Sequence, residues 1–112
     1  MKTEEKKSYE VRITDDAAAD LEAIDAFISS NTSKATAQKQ LDLIVQKVEL
    51  LETTPNIGVV PTRFPALAEM GYRMLPVGKY WLIYMVFEPL ALVEIHFVVH
   101  QRRDLNALIN SV

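Results

Sequence analysis

Apolar and polar residues first alternate at positions 9–14, where Tyr9, Val11 and Ile13 interleave with Glu10, Arg12 and Thr14. A period of two predicts a half-buried strand. The period then lengthens. Ala17, Leu21, Ile24 and Ile28 recur at helical spacing with Phe27 beside them, predicting a helix over about residues 16–30. Thr14 and Asp15 are suitable N-caps, and Asp15, Asp16 and Asp20 suit the positive end of a helix dipole. Asn31-Thr32-Ser33 breaks the pattern, and Ser33 can cap the next helix. Ala37, Leu41, Ile44, Val48 and Leu51 predict that second helix to about Thr53, ended by Pro55 and Gly58. So short a break implies an antiparallel helix pair, and the apolar stripe reads as a core-facing face.

Residues 54–70 contain Pro55, Gly58, Pro61 and Pro65 and predict a loop, with a turn of helix near Ala66–Glu69. Gly71 to Asp104 reads as three consecutive strands ending in a basic cluster, His100, Arg102 and Arg103. Gly78-Lys79 suits a two-residue hairpin with glycine first. Glu88-Pro89 opens the next turn, and Leu105, Leu108 and Ile109 fit a short terminal helix.

Closing the hairpin on Gly78-Lys79 pairs Val77 with Tyr80, Leu75 with Leu82 and Arg73 with Tyr84 on one sheet face. Tyr72, Met74, Trp81, Ile83, Met85 and Phe87 take the other. In the last strand Val93, Ile95, Phe97 and Val99 form the strong apolar set, and the simplest assignment buries all four against the helices. An odd-length turn at Glu88–Ala91 then gathers Arg73, Tyr80, Tyr84, Glu94, His96 and His100 on an uncovered face; a one-residue slip would separate Arg73 from the histidines. Leu75, Val77, Leu82, Val86 and Val98 lie there too. Such a mixed face implies a partner, such as a segment of another chain laid across it.

A chain of 112 residues allows one domain and one core. Residues 1–7 read as a solvated leader and 8–112 as the domain. Apolar residues make up 49%, too many for a disordered chain. No run approaches the roughly 18 apolar residues that would span a membrane. The charged N-terminus MKTEEKKSYE has no apolar stretch behind it and is not a standard secretory signal. With no cysteine, disulfides and thiolate metal sites are excluded, and two histidines without clustered carboxylates make a poor metal site. No cofactor or metal is expected.

The net charge of −3 is unevenly spread. Residues 1–60 hold seven Lys or Arg and eleven Asp or Glu, a net of −4; residues 61–112 hold five and four, a net of +1. This is not the strongly basic footprint of a protein that binds nucleic acid through phosphates alone.

The order of strand, helix pair and three strands is similar to the RelE/ParE superfamily, the toxin halves of bacterial type II toxin–antitoxin pairs. The residues that carry the resemblance are Asp20-Leu21-Glu22-Ala23-Ile24, Pro55-x-x-Gly58, Gly71-Tyr72-Arg73-Met74-Leu75, Val77-Gly78-Lys79-Tyr80, Tyr84 and His100-Gln101-Arg102-Arg103-Asp104. They span about residues 8–105. The resemblance implies an α+β fold, βααβββ, with a helical hairpin on one face of a twisted mixed sheet. It implies a growth-inhibiting cytoplasmic toxin of the plasmid-stabilisation kind with a cognate antitoxin, and leaves open whether the chain also forms a homo-oligomer. The target is open as well: DNA gyrase in the ParE manner, or the ribosome and its mRNA in the RelE manner. An inactive relative kept as a binding module is the third reading.

For an RNA-cleaving member, the resemblance places Arg73 and Arg102 beside the scissile phosphate, with His100 moving a proton. Guanidinium groups would stabilise charge developing on the phosphate, and histidine titrates near neutrality. Arg63, Lys79, Tyr80, Tyr84, His96 and Arg103 are the candidate target-binding residues. The plainer alternatives pair Arg73 with Glu94 or Tyr84 and Arg103 with Asp104, and make His96 a partly buried strand residue. The acidic balance favours a toxin that binds a protein target, or a weakened nuclease.

Overall fold

The computed structural model describes residues 8–110; the leader 1–7 lies outside them. Strand β1 (Glu10–Ile13) leads into helices α1 (Asp15–Asn31) and α2 (Lys34–Leu50). After a loop come a short helix α3 (Pro65–Glu69), strands β2 (Arg73–Val77), β3 (Tyr80–Phe87) and β4 (Leu92–His100), and a terminal turn of helix α4 (Asn106–Asn110). Both long helices begin where the capping signals lie. The Thr14 side chain accepts from the Ala17 N–H, and the Ser33 side chain from that of Thr36. Each satisfies an otherwise orphaned donor of the first helical turn.

The sheet order is β1-β4-β3-β2, with β1 parallel to β4 and the other neighbours antiparallel. The fold is therefore α+β with a mixed four-stranded sheet, as expected. The first strand, chain-distant from the others, lies beside the last. Strand β2 forms the opposite edge and carries Pro76, a residue that an edge tolerates because no ladder donor is lost in the middle of the sheet.

The faces differ from the expected assignment. The hairpin register is as predicted, Arg73 opposite Tyr84 and Val77 opposite Tyr80. The turn between β3 and β4, however, holds an even number of residues, because Phe87 pairs with Leu92. Val93 and Ile95 consequently share a face with Tyr84 and Val86. Further along, Tyr84 pairs with Ile95 but Ile83 with Phe97, so His96 is an extra, bulged residue. The bulge reverses the alternation of β4 midway. Val93, Ile95 and Val98 point to the helices, whereas Phe97 and Val99 point away.

The helices therefore cover the face bearing Leu75, Val77, Tyr80, Leu82 and Tyr84, which joins Ile24, Ile44 and Leu51 in the larger core. The face expected to be open is the one that is buried. The opposite face is not bare either. Met74, Ile83 and Val99 pack there with Leu67 from α3 and with Leu105 and Leu108 from the C-terminal segment. Glu94 and His96 lie on that second face, apart from Arg73, Tyr80 and His100.

One hydroxyl ties the 54–60 loop to the sheet. Tyr84, fully buried, donates to the Pro55 carbonyl at 2.7 Å and accepts from the Gly58 N–H at 2.8 Å. A Cβ on residue 58 would lie 2.5 Å from that hydroxyl and 2.9 Å from the Met74 carbonyl, so glycine is required there for space. Tyr84→Phe would strand two buried polar groups and is expected to cost about 1–3 kcal/mol. Urea denaturation reads this directly; an unchanged midpoint would mean that the loop relaxes onto water.

Candidate functional site

The predicted site residues fall into four separate places. Arg73 begins β2 at one end of the sheet. Its Nη1 donates to the Gly58 carbonyl at 2.8 Å and to the Asn56 carbonyl at 3.3 Å. These carbonyls, and neither Glu94 nor the Tyr84 hydroxyl, are its hydrogen-bond partners. Tyr84 beneath it is enclosed, and burial raises its phenol pKa above the ordinary value against opposing effects of the Gly58 hydrogen bond and the Arg73 charge. It is a structural latch and not a surface for a target. Close by, Tyr9 donates to Glu88, whose other oxygen accepts from Asn56 at 3.4 Å.

The second place is the far end of the same face, at the hairpin tip. Tyr80 is buried, its pKa raised by desolvation, and meets the His100 ring edge-on at 5.4 Å and 75°. The His100 Nδ1 accepts the Arg102 backbone N–H at 3.1 Å. In the neutral ring this leaves the proton on Nε2, so His100 presents a donor outward. Gln101 clamps the tip, its side-chain amide donating to the Gly78 and Tyr80 carbonyls at 3.2 and 3.1 Å. Lys79, His100, Gln101 and Arg102 surround a polar hollow of about 310 Å³. Arg103 lies beside another hollow that also touches Asp20 and Phe27. Sequence reasoning singled out neither Gln101 nor Phe27, because nothing local marks a clamp or an exposed ring.

His96 belongs to the third place, on the opposite face. Its Nδ1 lies 3.0 Å from the Tyr72 hydroxyl and its Nε2 3.1 Å from Glu94 Oε1. The plainer reading, a partly buried strand histidine, matches these contacts. Arg63 stacks over the Phe64 ring at 5.9 Å on the rim of a small apolar hollow beside Trp81. It approaches none of the other candidates.

Arg73 and His100 do not converge. Their hairpin partners, Tyr84 and Tyr80, are four residues apart on β3, which is about 13 Å along the strand. Strands β2 and β4 are also separated by β3, adding about 10 Å across the sheet.

A different kind of surface lies on the outside of the helix pair. Ile13, Leu21, Leu41, Val45 and Val48 line a groove of about 610 Å³ bordered by Glu22, Asp25 and Glu49. Val45 is 52% exposed and Ile13 44%. Among the described residues no group of three His, Asp or Glu could hold a metal ion, and no helix is long and apolar enough to cross a membrane.

A strand-linked helical hairpin on a mixed sheet is the arrangement that the resemblance to the RelE/ParE superfamily implied. Residues 11–105 match the family model described as the ParE toxin of the type II toxin–antitoxin system parDE, and the chain belongs to that family. Comparison with curated protein sequences finds no match. Among solved structures, the chain is similar to one described as a chromosomal ParDE toxin–antitoxin system from P. aeruginosa, with 24% identity and a TM-score of 0.68 over 84% of this chain and 97% of that one. It is also similar to one described as the toxin–antitoxin complex RelBE2 from Mycobacterium tuberculosis, with 22% identity and a TM-score of 0.61 over 90% and 100%.

Asp20 joins helix to sheet at the hairpin end of the site. Strand β1 ends opposite Ile95, and beyond it the Val98 N–H is taken by Asp20 Oδ2 at 2.9 Å. Burial raises the Asp20 pKa, outweighing the lowering by this hydrogen bond and by the charge of Arg103. A carboxylate with a raised native pKa contributes stability that is full below its unfolded pKa and lost as pH rises through the native one. Asp20→Asn keeps an acceptor and never ionises. It is expected to be more stable than the parent at pH 7, with the gap closing as pH falls below the ordinary aspartate value of 3.8. Denaturation at both pH values checks this, and a variant weaker at pH 7 would mean that the charge is net favourable.

Proposed function

We propose that this toxin arrests growth by binding an essential protein, DNA gyrase, and not by cutting RNA. The carrying observation is the separation of its cations. An RNA-cleaving site needs positive charge and a proton-transfer group within reach of one phosphate. Arg73 lies about 13 Å along and about 10 Å across the sheet from His100, and its guanidinium is turned to loop carbonyls. The net charge of −3 opposes approach to RNA. The family model that matches the chain is that of the ParE toxins.

On this reading, the hairpin-tip cluster of Lys79, His100, Arg102 and Arg103 meets the target in the cytoplasm. Controlled expression tests it, with DNA supercoiling and mRNA integrity followed together. The expected result is loss of negative supercoiling while mRNA stays whole. Cleaved mRNA with normal supercoiling would establish the RelE-like alternative through Arg73, His100 and Arg102, and unimpaired growth with soluble protein would mark an inactive relative.

An antitoxin is the second partner of this reading, and both similar structures are described as toxin–antitoxin assemblies. The groove outside the helix pair suits it. An amphipathic segment with apolar anchors and basic flanks would bury Val45 and Leu41 and face Glu22, Asp25 and Glu49. Val45→Arg is expected to weaken the complex with the product of the adjacent reading frame by about tenfold or more, since it puts a charge in the middle of an apolar contact. Growth arrest by the free variant should persist. Unchanged affinity in calorimetry would place the antitoxin elsewhere.

A further inference from the structure

The hairpin tip and the facing ends of the two helices enclose a cleft of about 440 Å³. We propose that it is a binding site for a peptide carboxylate carried next to a bulky apolar side chain. This deepens the protein-binding reading above and rests on it.

Three observations point to that ligand. The first is an unmet donor. Gln40 lines the cleft from α2 with its amide against Gly78, where a Cβ would lie 2.9 Å from Oε1 and 3.1 Å from Nε2. Its Nε2 is buried and has no hydrogen-bond partner among the described residues. A buried donor left unmade costs roughly as much as a lost hydrogen bond, so an acceptor that meets the amide as it turns into the cleft would be favoured. The second is the company it keeps. His100 presents its Nε2 donor, and Lys79 adds a flexible ammonium at the hairpin tip. Gln40, Lys79 and His100 all line this one cleft, and such a lining favours acceptor oxygens and negative charge. The third is the wall. Phe27 is 65% exposed and forms an apolar side of the same cleft, an unusual position for a phenylalanine without a partner.

The surroundings favour a carboxylate over a phosphodiester. Tyr80 is buried with its ring against His100, so it has no free face on which a base could stack. Of the residues the helices place along the cleft, Lys39 is the charged one, and with Lys79 it makes a small cationic site suited to a single carboxylate, without the run of cations that tracks a nucleic-acid backbone. A side-chain amide also matches the acceptor geometry of a carboxylate or peptide group.

Titration of the isotope-labelled full chain with N-acetylphenylalanine tests this by NMR, because the Gln40 side-chain amide gives its own signal. N-acetylphenylalaninamide, inorganic phosphate and the dinucleotide UpA form parallel arms. N-acetylphenylalanyl-glutamate amide distinguishes an acidic side chain from a free chain terminus. Saturable shifts of the Gln40 amide with either carboxylate, and none with the neutral amide, are expected. Gln40→Glu and Lys79→Ala should each weaken binding by about tenfold, the worth of one charge-assisted hydrogen bond. Gln40→Glu sets like charges together and leaves the side chain the same size, and Lys79→Ala alters only an exposed position. Equal binding of the neutral amide, binding of phosphate or UpA alone, or an unmoved Gln40 signal would each overturn the proposal. Growth arrest by the unaltered chain, measured separately, distinguishes failure of this site from failure of the toxin reading.

Discussion

Strand β4 carries one residue more than its partner, and the remaining architecture depends on where that residue sits. Side chains of a strand alternate between faces, so a regular β4 would send Val93, Ile95, Phe97 and Val99 to one side. The bulge at His96 divides this set. Val93 and Ile95 enter the core beneath the helices, while Phe97 and Val99 help build a second core on the opposite face. Without the division, one face would hold too much apolar surface and the other too little to seat α3 and the C-terminal segment. The bulge also lies just beyond the end of β1, where Asp20 satisfies the exposed donor of Val98. An acid on the first helix thereby fixes the helical layer against the strand that determines both cores.

The same layering controls what the surface can do. Because the helices cover the face of Arg73, Tyr80, Tyr84 and His100, only the two ends of that face are reachable. At one end Tyr84 and Arg73 are engaged in holding the 54–60 loop. At the other, the hairpin tip rises past the helix ends, and Lys79, His100 and Arg102 stand around open hollows. The tip thus gathers hydrogen-bond donors and cations beside exposed apolar carbon.

The elements themselves were legible in the chain because they rest on local physics. Helical spacing from Ala17 to Ile28 and from Ala37 to Leu51, the caps at Thr14 and Ser33, and the Gly78-Lys79 turn all operate within a few residues. The resemblance carried by the His100–Asp104 cluster and the Gly71–Tyr80 stretch led to the right family for a related reason, since order and spacing survive where individual contacts do not. The site was less legible. Arg73 and His100 are both cations on a hydrophobic sheet, and they share a face as expected, but through an even-length turn combined with the bulge at His96 and not through the odd-length turn that alternation required. Alternation says nothing of their separation along the strands, nor that backbone carbonyls of the loop would claim Arg73.

The number, type and order of the elements, the hairpin register and the family were thus all set by patterns readable along the chain. Which face the helices cover was settled only by the assembled sheet. That choice turned on an even-length turn at Glu88–Ala91 and on one bulged residue, and neither alters the local pattern of apolar and polar positions. A single extra residue in a strand costs little locally yet reverses every side chain beyond it, so its effect becomes visible only when the two cores are assembled.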